Sequence, residues 1–383
     1  MSPNQSLPIT LTIRLGSVLA MAIAVLWSTA AQAQTSPNVQ WVQTSFTDEA
    51  YRLFTPASGA LLVRTKLGLA RSDDGGISWS SVSLPPEPPV PTSGPGWPGH
   101  IVVDPTSHTT IYAASPHGIY KTEDDAANWR VILPPDPAVP EIGQLEVSPA
   151  DHQTVYATLT NRELNQLRLV RSGDGGATWE TVHSRETDTH VSCDWAVYLL
   201  QAHPTDPNRV FMAASCPRTS SYADVEQSTD RGATWTMFRK SGLATPDRLV
   251  AAGDTPPGQI LIPLNKDYRG GGSLLTRTAD DGATWTTLLE FSGGGGMSGG
   301  GPNVGMSSLA VDPTMPNRLL LGINASNAGK PRDSQIRLST DAGSSWTEIA
   351  PTGFPPISEV AFGIDGKMMF ATTKTGVWRT VAP

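Results

Sequence analysis

The sequence predicts an all-β protein, a seven-bladed β-propeller made of four-stranded antiparallel blades. Three observations predict it. A Ser/Thr-x-Asp-x-Gly-x-Thr/Ser-Trp motif recurs at intervals of about fifty residues, short runs of strand-forming residues lie between its copies, and no stretch sustains a helical period. Repeats of this length are typical of stacked copies of one supersecondary unit. We therefore expect a single repeat-built domain over residues 34–383.

The first 33 residues do not belong to this pattern. Arg14 precedes an apolar stretch from Leu15 to Trp27, and small residues continue to Ala33. This is the pattern of a secretory signal peptide over residues 1–33, and an uncleaved anchor is the alternative. We predict a secreted or periplasmic protein that is not inserted in the membrane once the signal is removed.

The charge of the chain bears on its possible partners, and its two cysteines bear on a possible disulfide. The formal net charge is −8 and the lysines and arginines form no cluster, which argues against a nucleic-acid partner. Cys193 and Cys216 are the two cysteines, and in an oxidising compartment such a pair predicts a disulfide. Free structural thiols and metal ligation are the alternatives.

Each copy of the repeat contains four strand-like runs, seen most clearly in the second copy. They are Ile101–Val103, Thr110–Ala114, Ile119–Thr122 and Trp129–Leu133, separated by turns rich in Pro, Gly, Asn and Asp. Four antiparallel strands make one propeller blade, with the motif between the third and fourth strands.

Counting third strands gives the number of blades. Those that precede a motif end at Ser72, Thr122, Ser172, Ser228, Thr278 and Ser339. A seventh, Gly376–Thr380, has no strand after it, and Val39–Thr44 resembles the strand that follows the motif elsewhere. We therefore expect the N-terminal strand to complete the last blade, which leaves no open edge, and we expect a monomer.

The recurring residues of the motif have a structural explanation. Its glycine can adopt a positive φ, and its carboxylate and hydroxyl can accept hydrogen bonds from the N–H groups of the turn. We interpret the motif carboxylates as structural, and expect no metal, because the further carboxylates of a calcium site are missing. These residues are Asp74, Asp124, Asp174, Asp230, Asp280 and Asp341. Ala126 and Asn128 replace Gly and Thr in the second copy, which predicts a looser turn there.

These motifs resemble the Asp-box, or BNR, repeat of sialidases, sortilin-type receptors, xyloglucanases and a photosystem II assembly factor. The resemblance implies the propeller fold, but those families perform unrelated functions. Sialidase activity would imply three arginines, a Tyr-Glu pair and an acidic residue. Only Tyr51–Phe54 is similar to the Arg-Ile-Pro segment of sialidases, and it departs from that segment at both Ile and Pro.

The two ends of such a propeller differ. Motif turns and first-to-second-strand turns share one end, which we call the box face. Blade linkers and second-to-third-strand loops share the other, which we call the loop face. Loop length varies most at the loop face, so we expect the binding site there. The predicted ligand-binding residues are Trp97, His190, Asp194, Trp195, Tyr268 and Arg269.

The sequence favours an exported, non-catalytic propeller that binds a protein or a carbohydrate through its loop face, without a cofactor. The alternative for those residues is that Trp195 plugs the channel or covers its blade, and that His190 is merely solvated. A glycoside hydrolase or lyase with a site on the same face is the second functional hypothesis, and an assembly factor is the third. An enzyme would place two carboxylates about 5 to 10 Å apart in a pocket, and Asp194 is the first candidate.

Overall fold

The computed structural model describes residues 39–66, 68–86, 100–115, 118–161, 164, 166–186, 196–215, 224–240, 244–246, 250–251, 259–266, 272–292, 302–327, 330–331 and 334–381. Within these ranges the chain forms seven antiparallel sheets arranged as the blades of a propeller. The strands are numbered β1 to β30 in chain order.

The first three blades each contain four strands in sequence order. Blade 1 consists of β2 (Ala50–Phe54), β3 (Leu61–Thr65), β4 (Leu69–Ser72) and β5 (Ser80–Val82). Blade 2 consists of β6 (His100–Asp104), β7 (Ser107–Ser115), β8 (Gly118–Thr122) and β9 (Arg130–Leu133). Blade 3 consists of β10 (Glu141–Val147), β11 (Val155–Asn161), β12 (Gln166–Ser172) and β13 (Glu180–Glu186).

The next three blades repeat this order, with short additional strands in two of them. Blade 4 consists of β14 (Ala196–Ala202), β15 (Val210–Ser215), β16 (Val225–Ser228) and β17 (Thr236–Arg239). Blade 5 consists of β18 (Ala244–Pro246), β19 (Val250–Ala251), β20 (Ile260–Lys266), β21 (Gly272–Thr278) and β22 (Thr286–Ser292). Blade 6 consists of β23 (Pro302–Val311), β24 (Leu319–Asn327), β25 (Lys330–Pro331), β26 (Gln335–Ser339) and β27 (Thr347–Glu348).

Blade 7 joins the two ends of the propeller. It consists of β28 (Ile357–Phe362), β29 (Met369–Thr373), β30 (Gly376–Thr380) and β1 (Trp41–Gln43), and β1 pairs antiparallel with β30. The Trp41 indole donates a hydrogen bond of 3.0 Å to the Ile349 carbonyl and packs edge-on against Phe354. The predicted seven blades, and the closure of the last one by the N-terminal strand, are confirmed.

The hydrophobic core lies between neighbouring blades. Leu62 and Leu69 of blade 1, for example, form one buried cluster with Ile101 and Ile111 of blade 2. Inner-strand polar side chains add a second type of contact: the Ser308 hydroxyl in β23 accepts a hydrogen bond from the N–H of Val360 in β28, at 3.2 Å. Each blade is therefore stabilised mainly by the blades beside it.

Each Asp box is a self-contained hydrogen-bond network, as the third copy shows. The Ser172 hydroxyl donates to Asp174 at 2.8 Å and accepts from the Gly176 N–H at 2.7 Å. Asp174 also accepts from the Thr178 N–H and hydroxyl, at 2.8 and 2.6 Å. These bonds, mainly those from Thr178, lower the pKa of Asp174 to about 2. The box carboxylates are therefore engaged by their own turns.

The second box, Thr122 to Trp129, does not form the looser turn that the sequence predicts. Asn128 replaces the usual hydroxyl and donates to Asp124 from both its N–H and its side-chain amide, at 2.9 and 2.8 Å. Ala126 adopts the left-handed conformation with φ 64°, as glycine does in the other boxes. The prediction was wrong because the amide supplies the same donor and the backbone accommodates a left-handed alanine.

Basic residues that immediately precede a box connect it to the next blade. Arg71 forms an ion pair with Asp125 in the following box turn. Arg171 and Arg277 each donate to a carbonyl oxygen in the box turn of the next blade, at 3.1 Å in both cases. The boxes therefore contribute to the packing between blades as well as to their own hairpins.

Candidate functional site: the central channel

The inner strands surround a cavity of about 620 Å³. It is lined by the innermost strands of blades 1, 2, 3, 4, 6 and 7, and by Pro263 of β20 in blade 5, which places it on the propeller axis. A β-bulge interrupts the pairing of the inner strand in blades 1, 3, 4, 6 and 7. In blade 1 the extra residue is Tyr51. Bulges redirect side chains, so the recurring irregularity shapes the channel wall.

The carboxylates of Asp104, Glu146 and Glu359 line the cavity, and each accepts hydrogen bonds from the protein itself. Asp104 is buried and accepts from the N–H and hydroxyl of Thr106, at 2.8 and 2.6 Å. Glu146 accepts from the Ala202 N–H at 3.3 Å, and Glu359 accepts from the Leu53 N–H at 2.6 Å. Glu146 and Glu359 thereby connect their inner strands to the next blade, which is a structural role.

Basic side chains gather at the loop-face end of blades 1 and 2. Arg52 in β2 lies directly opposite Arg64 in β3, and it lines the cavity. His100 is the first residue of β6 in the next blade. Burial, followed by the charges of Arg64 and Arg52, lowers the pKa of His100 to about 4. Burial and the charge of Arg52 also lower the pKa of Arg64. The three groups therefore share one electropositive environment.

Tyr51 lies beside this group. Its side chain is 41% exposed, and its hydroxyl is hydrogen-bonded to Glu49, which raises the pKa of the phenol. Arg64 acts on the same phenol in the opposite direction. A partly exposed tyrosine, hydrogen-bonded to a carboxylate, is thus placed next to two arginines at the channel mouth.

The predicted ligand-binding residues all lie outside the described residues, so their grouping stays a prediction. They are Trp97, His190, Asp194, Trp195, Tyr268 and Arg269. Cys193 and Cys216 also lie outside the described residues, and the disulfide likewise stays a prediction. Two of these positions are close in sequence to channel strands: Trp97 is followed shortly by His100, and Trp195 directly precedes β14.

Sequence reasoning did not find the basic group. Arg52 drew attention only through the segment similar to sialidases, while Arg64 and His100 lie in separate strands without a shared motif. Paired positions depend on register, and the bulge at Tyr51 shifts that register by one residue. The signal available in the sequence was the presence of an arginine in each strand of one hairpin.

Two further properties concern only the described ranges. No three of their His, Cys, Asp or Glu side chains come together as a group able to hold a metal ion. None of their residues belongs to a helix with the length and hydropathy needed to cross a bilayer.

Two curated proteins are similar to this chain, and both are much longer. A xyloglucanase of a Paenibacillus species is 22% identical over an alignment of 261 residues, and the alignment covers 59% of this chain and 24% of the relative. A sialidase of Bacteroides fragilis is 26% identical over an alignment of 304 residues, and the alignment covers 73% of this chain and 48% of the relative. The chain thus spans less than half the length of either protein. No family model matches it.

Solved structures share the architecture at low sequence identity. The GH74 xyloglucanase from Xanthomonas campestris superposes with a TM-score of 0.62 and 18% identity, covering 89% of this chain and 53% of the other. YCF48 bound to D1 peptide gives a TM-score of 0.54 and 14% identity, covering 91% of this chain and 96% of the other. These likenesses show the class, a seven-bladed β-propeller. Its six Asp boxes are similar to those of the Asp-box, or BNR, sialidase-like propellers, with which these similarities are consistent.

Proposed function

We propose that the chain is an exported, non-catalytic propeller that binds a glycan or a protein at the loop-face end of its channel. The observation that carries this proposal is the structural engagement of the cavity carboxylates Asp104, Glu146 and Glu359. Similarity to a xyloglucanase and a sialidase supports a carbohydrate ligand, and similarity to YCF48 bound to D1 peptide supports a protein ligand. The signal-peptide pattern supports an extracytoplasmic location.

Glycoside hydrolysis usually needs one carboxyl group that donates a proton and a second that acts as nucleophile or base. Glu146 and Glu359 lie in different blades and accept backbone N–H groups of the next inner strands. A carboxylate that holds the backbone in this way cannot change partners during a reaction without opening the contact between blades. This is why we favour binding over hydrolysis.

A specific observation favours the glycoside hydrolase hypothesis as the second candidate. The Tyr51 hydroxyl is hydrogen-bonded to Glu49, and Arg52 and Arg64 lie nearby. The raised pKa of Tyr51 makes its phenolate less accessible at neutral pH, which weakens this alternative. A Tyr51→Phe variant separates the two hypotheses because it removes the hydroxyl and keeps the ring.

The test is a glycan and polysaccharide binding screen on the purified chain after signal removal, with released sugar measured in the same wells. We expect binding without release in the parent protein and in Tyr51→Phe, and loss of binding in the double variant Trp97→Ala, Trp195→Ala. Ile77→Ala, which changes an exposed side chain in a box turn at the opposite face, is the control and should bind normally.

Release of sugar that disappears in Tyr51→Phe would overturn the non-catalytic proposal. Absence of glycan binding would exclude a glycan as the ligand. Pull-down of an extracytoplasmic protein by the parent chain but not by the double variant would then support a protein ligand. If neither a glycan nor a protein binds in this way, the proposal of binding at the loop face is overturned.

A further inference from the structure

The first-to-second-strand turns of blades 4 and 6 are close copies of one another at the box face. Residues 203–209 read His-Pro-Thr-Asp-Pro-Asn-Arg and residues 312–318 read Asp-Pro-Thr-Met-Pro-Asn-Arg, so only the first and fourth positions differ. In both turns the N–H of the first residue donates to the carbonyl of the final arginine at 2.9 Å. In both, the asparagine carbonyl accepts from an N–H in the box turn of the same blade. The two turns therefore share their backbone hydrogen bonds and differ in the side chain at the first position.

In blade 6 that side chain is a carboxylate. Asp312 is buried and accepts from the N–H groups of Thr314 and Met315, at 2.8 and 3.2 Å. Its other oxygen pairs with Arg318 at 2.7 Å. Burial acts to raise the pKa of Asp312, but the hydrogen bonds from Thr314 and the interaction with Arg318 outweigh it and lower that pKa. The turn of blade 6 therefore keeps its acceptor at mildly acidic pH.

In blade 4 an imidazole takes the place of the carboxylate. The Nδ1 atom of His203 accepts from the N–H groups of Thr205 and Asp206, at 3.3 and 3.1 Å. A neutral imidazole has one acceptor nitrogen, and protonation converts that nitrogen into a donor. Two backbone donors would then face a third donor, so the protonated ring cannot hold the turn in the way that the neutral ring does.

The buried arginine of the same turn adds to this effect. Arg209 pairs with Asp281 in the box turn of blade 5, and its guanidinium lies 4.9 Å from the centroid of the Phe211 ring. The His203 ring lies 6.5 Å from the same ring. Burial, followed by the charge of Arg209, lowers the pKa of His203, while the charges of Asp206 and Asp281 act in the opposite direction. An imidazolium here would be a second cation near the arginine, whereas blade 6 has a carboxylate in this position.

We propose that His203 makes the turn of blade 4 a pH-dependent switch, closed while the imidazole is neutral and opened by protonation of Nδ1. Opening releases the two backbone N–H groups and moves the cationic ring away from Arg209, which connects blade 4 to the box turn of blade 5. Ala202 and Pro204, on either side of His203, line the central cavity. The change therefore reaches the channel wall at the box-face end, whichever ligand the loop face binds.

The switch has a defined direction. Because the pKa of His203 is lowered from 6.5, the closed turn stabilises the fold fully above pH 6.5, and this contribution is lost as the pH falls through the lowered pKa. The Asp box of the same blade does not change its charge in this range. Hydrogen bonds, mainly those from Thr234, lower the pKa of its Asp230 to about 2. Acid should therefore open the turn of blade 4 without dissolving the adjacent box.

The experiment is hydrogen exchange of the whole chain at pH 7.5 and pH 4.5, with rates corrected for the intrinsic pH dependence of exchange. Peptides containing residues 203–209 and 312–318 come from the same digest, so the turn of blade 6 is an internal control. We expect protection in the turn of blade 4 to fall by about tenfold at pH 4.5, as for the loss of two hydrogen bonds, and protection in the turn of blade 6 to stay. An NMR titration of the His203 ring reports its protonation directly.

Two substitutions of His203 test the role of the imidazole. His203→Asp supplies the residue that blade 6 has, and His203→Asn supplies a neutral acceptor. Both should remove the loss of protection at pH 4.5, and either one is sufficient if the other fails to fold. His152→Gln changes an exposed histidine in the corresponding turn of blade 3 and should behave like the parent. Thermal unfolding at pH 7.5 checks that each variant is folded.

A loss of protection confined to the turn of blade 4, and absent from the folded His203 variants, would support the switch. An equal loss in the turns of blades 4 and 6, or a loss that persists in these variants, would show that acid acts elsewhere and would overturn it. Unchanged protection of residues 203–209 between the two pH values, whether or not the ring titrates, would overturn it as well.

Discussion

Gly176 occupies the left-handed position of the third Asp box, with φ 95°. A β-carbon placed there would lie 2.5 Å from the Ile132 Cδ1 atom of the preceding blade. We expect Gly176→Ala to destabilise the protein by about 1 to 3 kcal/mol through backbone strain and this contact. Gly173→Ala, three residues earlier, has open space around its β-carbon and should be nearly neutral. Urea denaturation compares them, and equal losses would contradict the expectation.

His100 predicts a pH effect on folding. Its pKa is lowered from 6.5 in the unfolded chain to about 4 in the fold, so the unfolded state binds more protons between these values. The contribution of His100 to the free energy of unfolding is therefore fully present above pH 6.5, and it is lost progressively as the pH falls towards 4. We expect the parent to lose roughly 2 to 3 kcal/mol more than His100→Gln between pH 7 and pH 4.5.

Urea denaturation at both pH values measures this difference. His108→Gln changes a histidine that is hydrogen-bonded to Ser58 at the surface, and it serves as the control. Parallel pH profiles for the parent and His100→Gln would show that His100 is not held neutral by its surroundings.

At the scale of strands, the inner edge of each blade must satisfy its backbone N–H groups. Glu359 does this for the N–H of Leu53 across the junction of blades 7 and 1. Glu359→Ala would leave that buried donor without its acceptor, and we expect a loss of about 1 to 3 kcal/mol. Glu359→Gln keeps an acceptor oxygen and should lose less. Glu348→Ala, at an exposed position of β27, is the control.

Chemical denaturation of the three variants tests the order of stability. If Glu359→Ala and Glu348→Ala are equally stable, the carboxylate at position 359 has no role in holding the two blades together, and its availability for chemistry would have to be reconsidered.

The strand positions were predictable because the strand-forming runs and the Asp boxes indicate the same strand boundaries. The box fixes where each third strand ends, and β4, β8, β12, β16, β21 and β26 end at the expected Ser or Thr. The bulges were not predictable, since in strands this short a one-residue shift in the alternation of side chains cannot be told from an ordinary irregularity of the sequence. The contacts of Arg52 with Arg64 depend on such a bulge, and this is why the basic cluster escaped sequence reasoning.

For the whole molecule, β1 is the element that closes the ring. Trp41 is buried, donates to the Ile349 carbonyl and packs on Phe354. We expect Trp41→Ala to cost about 3 to 5 kcal/mol, as for other large aromatic side chains in a core. Trp129→Ala, in the second box, removes a less buried indole and should cost less.

Hydrogen exchange gives the spatial readout for this prediction. The amides of β30 should lose protection in Trp41→Ala, while those of blades 3 and 4 should keep it. Uniform loss of protection around the ring would show that β1 does not close the propeller as a separate element.

The overall architecture followed from the sequence because every repeat carries the same information, and one eroded copy does not obscure it. The loop face did not follow in the same way. The residues expected at that face, such as Trp97 and Trp195, break the repeat, so no second copy exists to compare with them. The proposed binding site includes those positions, and single-copy segments carry no periodicity from which a position could be inferred.

The pairing of β1 with β30 also determines the order in which the native structure can form during synthesis. Gln43 donates a hydrogen bond to the carbonyl of Thr375, across 332 residues of sequence. A chain synthesised from its N-terminus must hold β1 without its partner until nearly the whole sequence has been made. The long separation makes this contact slow to form. The first propeller strand to be synthesised is therefore the last to pair, and an exposed strand edge persists until synthesis is nearly complete.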